Sequence, residues 1–256
     1  MSNTKNRKQR RQLEKEQNLI NDYRRKYSKI RSKLVLSGYK PYFIDIFDSY
    51  KYEFNKIVNE AKNEFKTLYG IYEVDSSEFR NINRSKFRIP VGWEKIEFSS
   101  TDEQIANEYE QDAVAVEKAT YAGSLAVFQD QDSNFHTIIL VIRNPKTFEI
   151  HEEFKYSRKI STLLHEIGHL KDFENRINIK PEIKFVDLIG TEVYANLHSL
   201  NESFKREYYL SAEHYLDALK KSQHNSEFQY QVVQKTLLQF KKPEYTPWCD
   251  LFNQEI

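Results

Sequence analysis

The pattern His165-Glu166-Ile167-Gly168-His169 is the most informative part of the chain. In a helix of about 3.6 residues per turn, two histidines four positions apart point to the same side. Their imidazoles can therefore hold one metal ion together. Glu166, about 100° further round the helix, can reach a water molecule beside that ion and accept its proton. The five residues predict a helix that carries two metal ligands and a general base.

This spacing is the HExxH pattern of zinc peptidases, and its surroundings support a helix. Apolar side chains recur at helical steps on both sides of the motif. They are Ile160, Leu163, Leu164, Ile167, Leu170 and Phe173. Ser157 is a suitable N-cap for this helix. Gly168 costs a helix interior about 1 kcal/mol relative to alanine, so it predicts the close approach of another group to the backbone.

A zinc peptidase needs a third protein ligand and an open position for water. Glu192 is the best candidate, because it borders a second helical stripe and Asn196 follows it by one turn. The Asn196 amide could hydrogen-bond a ligand histidine and fix its ring. Asp172, Asp187 and His198 are rival ligands.

A turn between the two helices would bring these faces together. The polar run 175–178 and Pro181 predict it. The mechanism also needs a donor that stabilises the oxyanion of the transition state. Tyr194, His198, Tyr208, Tyr209 and His214 are all candidates, and the sequence does not choose among them.

The segment from about 137 to 200 resembles the ImmA/IrrE family of zinc metallopeptidases. An apolar strand (137–142), the HExxH helix and a Glu-x-x-Ala-Asn element (192–196) follow one another in the same order. The resemblance implies zinc ligands and a general base on this chain. The ligands are His165, His169 and Glu192, and the base is Glu166. It also implies an endopeptidase with few protein substrates, in bacterial or phage regulation.

Composition excludes several classes of protein. Only 6 Gly and 6 Pro favour helices over a turn-rich all-β fold, and 17 Tyr and 17 Phe can fill a core. The single Cys249 excludes an internal disulfide and fits a reducing compartment. No secretion signal and no run of about 20 apolar residues is present. We therefore expect a cytoplasmic protein that does not enter a membrane.

Charge is distributed unevenly along the chain. Residues 1–35 carry 12 Lys and Arg against 3 Asp and Glu, so this arm is +9 and the other 221 residues are −8. A basic arm can contact nucleic acid or an acidic partner. A solvated tail without such a partner is the alternative, because no aromatic residue precedes Tyr23 for base stacking.

The remaining elements predict an α+β fold. It is a predominantly helical, zincin-like domain over residues 36–256, with a small antiparallel sheet beside the HExxH helix. Flanking helices are expected at 41–69, ending near Gly70, and within 205–240. Short strands are expected at 88–91 and 95–98, and a hairpin at 124–128 and 135–142. A catalytically silent zincin scaffold and a nucleic-acid-associated protein are the alternative functions.

Overall fold

The computed structural model describes residues 46–75, 89–100, 102–105, 107–108, 123–142, 152–179 and 185–242, with Arg25, Ser28, Lys29, Ser32 and Leu36. The helices are α1 (Ile46–Glu64), α2 (Glu152–Ile179), α3 (Leu188–Lys205), α4 (Tyr209–Ser222) and α5 (Glu227–Gln239). The strands are β1 (Leu68–Val74), β2 (Glu94–Lys95), β3 (Ser99–Ser100), β4 (Gly123–Gln129), β5 (Phe135–Ile142) and β6 (Phe185–Val186). The architecture is mixed α+β and mostly helical. Apart from those isolated positions, the basic arm of residues 1–35 lies outside the described residues.

The main sheet has four strands in the order β1-β5-β4-β2. The predicted hairpin is confirmed: β4 and β5 pair antiparallel, with Leu125 opposite Ile139. In its turn, the Asp130 carboxylate accepts the backbone N–H groups of Asp132 and Asn134 at 2.9 and 2.8 Å. The expectation of a wholly antiparallel sheet is wrong, because β1 pairs parallel with β5. Turn residues identify a hairpin locally, whereas a parallel partner far along the chain leaves no local signal.

Strand β1 also corrects the predicted helix at 41–69. Helix α1 ends at Glu64, and Gly70 lies inside β1 instead of stopping a helix. The aromatic and β-branched side chains of residues 68–74 suit a strand, and pairing with β5 prevails over the helical spacing of Phe65 and Leu68. Of the two short strands expected after it, Ile89–Val91 is not a strand, and only Lys95 of the second lies in one, β2.

Helix α2 is the centre of the molecule. The six apolar side chains predicted around the HExxH motif are all buried. With Ile139 and Val141 of β5 and Phe54 and Ile57 of α1, five of these six form the main core. A helix buried between a sheet and other helices holds its functional face rigidly.

Both predicted ends of α2 are wrong. The helix begins at Glu152, so Ser157 lies inside it and is not its N-cap, and it continues through the polar run 175–178. In this run, Arg176 donates to the Thr191 hydroxyl of α3 at 2.8 Å. Glu174, just before the run, accepts the backbone N–H of Thr67 at 2.7 Å. A polar run can mark a turn or the outer face of a helix, and here tertiary partners favour the helix.

The C-terminal half forms a helical layer against α2. Helix α3 begins at its N-cap Asp187, whose carboxylate accepts the N–H of Gly190 at 2.9 Å. Helices α4 and α5 lie within the predicted range 205–240 and bury an apolar set on their inner faces. This set is Ala212, Leu216, Leu219, Phe228, Val232 and Val233. None of the described helices has the length and apolar character required to cross a bilayer.

Candidate metal centre

Helix α2 brings the two histidines of the motif together. His165 Nε2 and His169 Nε2 lie 3.0 Å apart, and the two rings stand at 89° to each other. Both side chains are only partly exposed, at 15% and 14%. Local helix geometry accounts for this convergence, because residues four apart lie on one face.

Helix α3 supplies the third group, Glu192. Its Oε2 lies 3.5 Å from His165 Nε2, and its Oε1 lies 3.5 Å from His169 Nε2. The two helices can approach this closely because of Gly168. A Cβ atom at that position would lie 2.7 Å from the Cα of Ala195 and 3.0 Å from the Cβ of His198. The prediction that Gly168 admits a neighbouring backbone is therefore confirmed.

The three side chains could hold a metal ion. Their ligand atoms all lie within 4.8 Å of one another. Two ligands about 2.1 Å from a tetrahedral ion lie roughly 3.4 Å apart. The observed separations of 3.0 and 3.5 Å match that spacing. The donor set of two imidazoles and one carboxylate leaves a fourth position for water or substrate.

The rival ligands have other partners. Asp172 Oδ2 is bonded to Arg176 at 2.8 Å and to the Thr191 hydroxyl at 3.1 Å. The hydrogen bond between Asp172 and Thr191 links α2 to the first turn of α3, next to Glu192. Asp187 is exposed and caps α3. Neither carboxylate belongs to the cluster of described residues that could bind a metal.

The ligand groups stabilise one another's charged forms. Burial alone would lower the pKa of His169, but the Glu192 carboxylate outweighs it and the pKa rises to about 9. Burial alone would raise the pKa of Glu192, yet the His169 and His165 imidazoles hold it well below its usual range. A metal cation that replaces the proton of His169 would lie beside the same ionised carboxylate, that of Glu192.

Glu166 lies beside the ligands in a buried position, with 5% of the residue exposed. Burial raises the pKa of its carboxyl, and Glu192 raises it further, against the opposing influence of His165 and His169. The backbone of Leu125 on β4 hydrogen-bonds the carboxylate. A Cβ atom at Gly123 would come within 2.7 Å of Glu166 Oε1, so this glycine leaves room for the group. A carboxyl with a raised pKa suits proton transfer near neutral pH.

A chain of hydrogen bonds orients His165. Tyr215 on α4 donates its hydroxyl proton to Asn196 Oδ1 at 2.6 Å. The 2.7 Å contact between Tyr215 Oη and His165 Nδ1 must then have His165 as its donor. The proton therefore sits on Nδ1, and the Nε2 lone pair is free to bind a metal. Asn196 donates in turn to Thr236, which donates to the Val232 carbonyl.

Asn196 was predicted to contact a ligand histidine, and the structure places it one step further away, with Tyr215 between them. Tyr215 was not predicted. The sequence does contain a pattern that indicates this residue. Tyr215 shares a helical face with Ala212, Leu216 and Leu219, and a phenol buried on such a face needs a polar partner.

The candidate oxyanion donors lie elsewhere. Neither Tyr194 nor His198 is among the described residues that line the cavity at the cluster. At about 100° per residue they lie roughly 200° and 240° round α3 from Glu192. Burial, with Lys171 and Arg206 nearby, lowers the pKa of His198 to about 4 despite the Glu202 carboxylate. Tyr208 hydrogen-bonds buried Glu53 of α1. The side chains of His214 and Tyr209 lie outside the described part of the chain.

The metal cluster opens into a cavity of about 670 Å³. One wall is β4, from Gly123 to Val127, and another is the face of α2 that carries Arg158, Thr162 and the HExxH residues. A volume of this size accommodates several residues of a peptide or a drug-sized molecule.

Comparisons of the chain with protein-family models, with curated proteins and with solved structures find no match.

Proposed function

We propose that this protein is a zinc-dependent endopeptidase with a zincin-like fold, similar to the ImmA/IrrE family, and that it cleaves a limited set of protein substrates. One observation carries the proposal. The Nε2 atoms of His165 and His169 and the Glu192 carboxylate converge, next to buried Glu166, at the wall of a cavity. Three ligands, an adjacent base and space for a substrate are the parts that a zinc peptidase requires.

Zinc is the metal that best fits this donor set. Two imidazoles and one carboxylate form a common catalytic zinc site, and the protonated Nδ1 of His165 presents the correct nitrogen to the ion. A bound zinc ion would supply a Lewis acid and lower the pKa of a water molecule to about 7.

Glu166 then moves the proton. Its carboxylate accepts a proton from the attacking water and returns it to the leaving amine of the peptide. Burial, which raises the pKa of this group, prepares it for both steps. The Leu125 backbone holds the carboxylate in place while its protonation state changes.

The substrate would bind along the open edge of β4. Strand β2 covers only the far end of that edge, where the Ile96 N–H donates to the Val127 carbonyl at 2.9 Å. Among the described residues, no strand pairs with the outer side of β4 from Gly123 to Ala126, and these residues face the cavity. An extended peptide can add to such an edge through backbone hydrogen bonds. Its scissile bond would then pass in front of Glu166.

The test combines metal content with proteolysis. The purified full chain is reconstituted with zinc, its metal content is measured, and it is incubated with a proteome-derived peptide library that is analysed by mass spectrometry. We expect one zinc per chain and defined cleavage sites. Glu166→Gln should retain zinc and lose cleavage, whereas Glu192→Ala should lose zinc.

Glu97→Gln is the matched control, because this carboxylate also lines the cavity and does not belong to the metal cluster. It should bind zinc like the unmodified chain. A chain that takes up no zinc, or cleavage by Glu166→Gln at the unmodified rate, would overturn the proposal. Zinc binding without any cleavage would indicate a silent zincin scaffold instead.

A further inference from the structure

The cavity in front of the metal cluster has an apolar end that the proposed chemistry does not use. Phe173 lies four residues after His169 on α2, so it is about 6 Å further along the helix axis and on nearly the same face. Four half-buried apolar side chains line the cavity at the same end. They are Ile96, Phe98, Val186 and Leu188. Together with Phe173, they form the apolar pocket.

Residues 96–100 form a crossing segment that bounds the cavity at this end. The Ile96 N–H donates to the Val127 carbonyl of β4 at 2.9 Å. The segment then becomes β3, which pairs parallel with β6 directly before α3. Between these two anchors, the Phe98 ring meets the Phe173 ring edge-on, with the ring centres 6.0 Å apart. Backbone pairing at both ends and a ring contact in the middle hold Phe98 in the cavity wall.

A peptide on the open edge of β4 would run from Glu166 towards this pocket. The backbone of Leu125 hydrogen-bonds Glu166. Val127 follows two residues later, and its bond to Ile96 ends the open edge. A peptide paired with β4 advances in step with the strand, by about 3.3 Å per residue. The pocket therefore lies about two residues from the scissile bond, in agreement with the roughly 6 Å measured along α2.

Three polar groups at this end of the cavity bond to one another. Arg176 pairs with Asp172 at 2.8 Å. The Thr191 hydroxyl lies between them, at 2.8 Å from Arg176 and 3.1 Å from Asp172. Since these charges offset each other, they add little net charge to the wall. Burial of an apolar ligand group in such a pocket is favourable, whereas a charged group that entered it would lose hydration.

We infer that the apolar pocket binds a side chain of the substrate and thereby selects peptides with an apolar residue of leucine or phenylalanine size within about two residues of the scissile bond. The inference rests on the proposed peptidase function and names the chemistry of its substrates. Phe98 is the residue that sets the preference, because its half-buried ring lines the cavity between the anchors at β4 and β6.

The test compares the cleavage of peptides that differ by one side chain. A peptide that the zinc-loaded full chain cleaves is synthesised with Leu, Phe, Ser or Asp at each of the two positions on either side of the cleaved bond. We expect Leu or Phe at one position to raise kcat/KM about tenfold or more over Ser and Asp, as burial of an apolar side chain would. No apolar preference at any of these positions would overturn the inference.

Two variants of Phe98 then identify the pocket. Phe98→Ser should reduce the ratio of kcat/KM between the Leu and Ser peptides to below about threefold. Phe98→Leu leaves more space, so it should keep the apolar preference and raise the ratio of kcat/KM between the Phe and Leu peptides. Each ratio is measured on one preparation and does not depend on the fraction of the chain that is folded. Either ratio unchanged in its variant would contradict the assignment of Phe98.

Val91→Ser is the matched control. This valine precedes the crossing segment, is fully exposed and is not among the residues that line the cavity. The substitution also replaces an apolar side chain by a hydroxyl, but it should leave both ratios as they are in the unmodified chain.

Peptide hydroxamates separate failure of this inference from failure of the proposed function. A hydroxamate binds a zinc ion directly and requires no cleavage. Attached to the amino or to the carboxyl end of a dipeptide, it places the side chains on one or the other side of the metal. We expect a Leu-containing hydroxamate to bind the zinc-loaded chain about tenfold more tightly than its Ser counterpart, and Phe98→Ser to remove this difference. That result without any cleavage would support the pocket while the peptidase proposal fails. Equal affinities would overturn the pocket, whether or not cleavage is observed.

Discussion

Tyr215→Phe is the sharpest test of how the metal centre is built. The substitution removes one hydroxyl and with it two hydrogen bonds, one of 2.7 Å to His165 Nδ1 and a buried one of 2.6 Å to Asn196 Oδ1. The phenyl ring stays beneath Arg158, so packing and the cation–π contact are preserved. Any effect therefore reports on the hydroxyl itself.

Two effects of different size are expected. Asn196 is only 3% exposed, so its Oδ1 loses a partner that water cannot easily replace. An unsatisfied buried acceptor costs about 1–3 kcal/mol of unfolding free energy. Loss of the group that orients a metal ligand weakens metal binding about 10- to 100-fold. His165 also loses the acceptor that keeps its proton on Nδ1.

Three measurements check these expectations. Urea denaturation of the metal-free chain gives the stability loss, and zinc competition against a chelator gives the affinity loss. Nitrogen NMR of the histidines reports whether His165 still carries its proton on Nδ1. Tyr230→Phe is the matched control, because that tyrosine is 47% exposed on α5 and should change stability by less than about 0.5 kcal/mol. Zinc affinity within twofold of the unmodified chain in Tyr215→Phe would refute the assigned role of this hydroxyl.

Two further predictions concern the contact between α2 and α3 and the charge of the ligands. Gly168→Ala places a methyl group 2.7 Å from the Cα of Ala195. The overpacking lowers the free energy of unfolding by roughly 1–3 kcal/mol. The better helix propensity of alanine restores about 1 kcal/mol of it. Urea denaturation should thus show a net loss, whereas exposed Asn201→Ala should show none, and a more stable Gly168→Ala would contradict the close contact. The Glu192 carboxylate raises the pKa of His169 to about 9, so zinc must displace a proton from His169 below that pH. Apparent zinc affinity should therefore rise about tenfold per pH unit towards pH 9 and level off above it, and a flat titration from pH 7 to 9 would contradict that pairing.

Much of the site follows from short-range sequence pattern. The convergence of His165 and His169 needs only a helix. The apolar stripe on both sides of the motif predicts which face of that helix is buried. The hairpin of β4 and β5 and the helices after position 187 follow for the same reason. Each is encoded by neighbouring residues whose periodicity or turn chemistry is unambiguous.

The secondary-structure predictions were wrong where a local pattern was compatible with two conformations. Residues 65–70 continue the apolar steps of α1, yet residues 68–74 become β1 because β5 is available as a parallel partner. The polar run 175–178 suits a turn, but α2 stays helical there, and Arg176 in the run donates to Thr191 of α3. In both places, the partner that decides the outcome is distant in sequence.

Local amino-acid pattern is enough to predict a helix with two histidines on one face, a glutamate beside them and an apolar surface that is buried. Packing between helices selects the acidic group that joins the histidines and the groups that orient them. Glu192 reaches the histidines because Gly168 lets α3 approach α2, and Tyr215 reaches His165 from a third helix. The physical reason is range: helix geometry sets positions within one turn, whereas packing between helices sets the ångström distances that coordination and hydrogen bonding require.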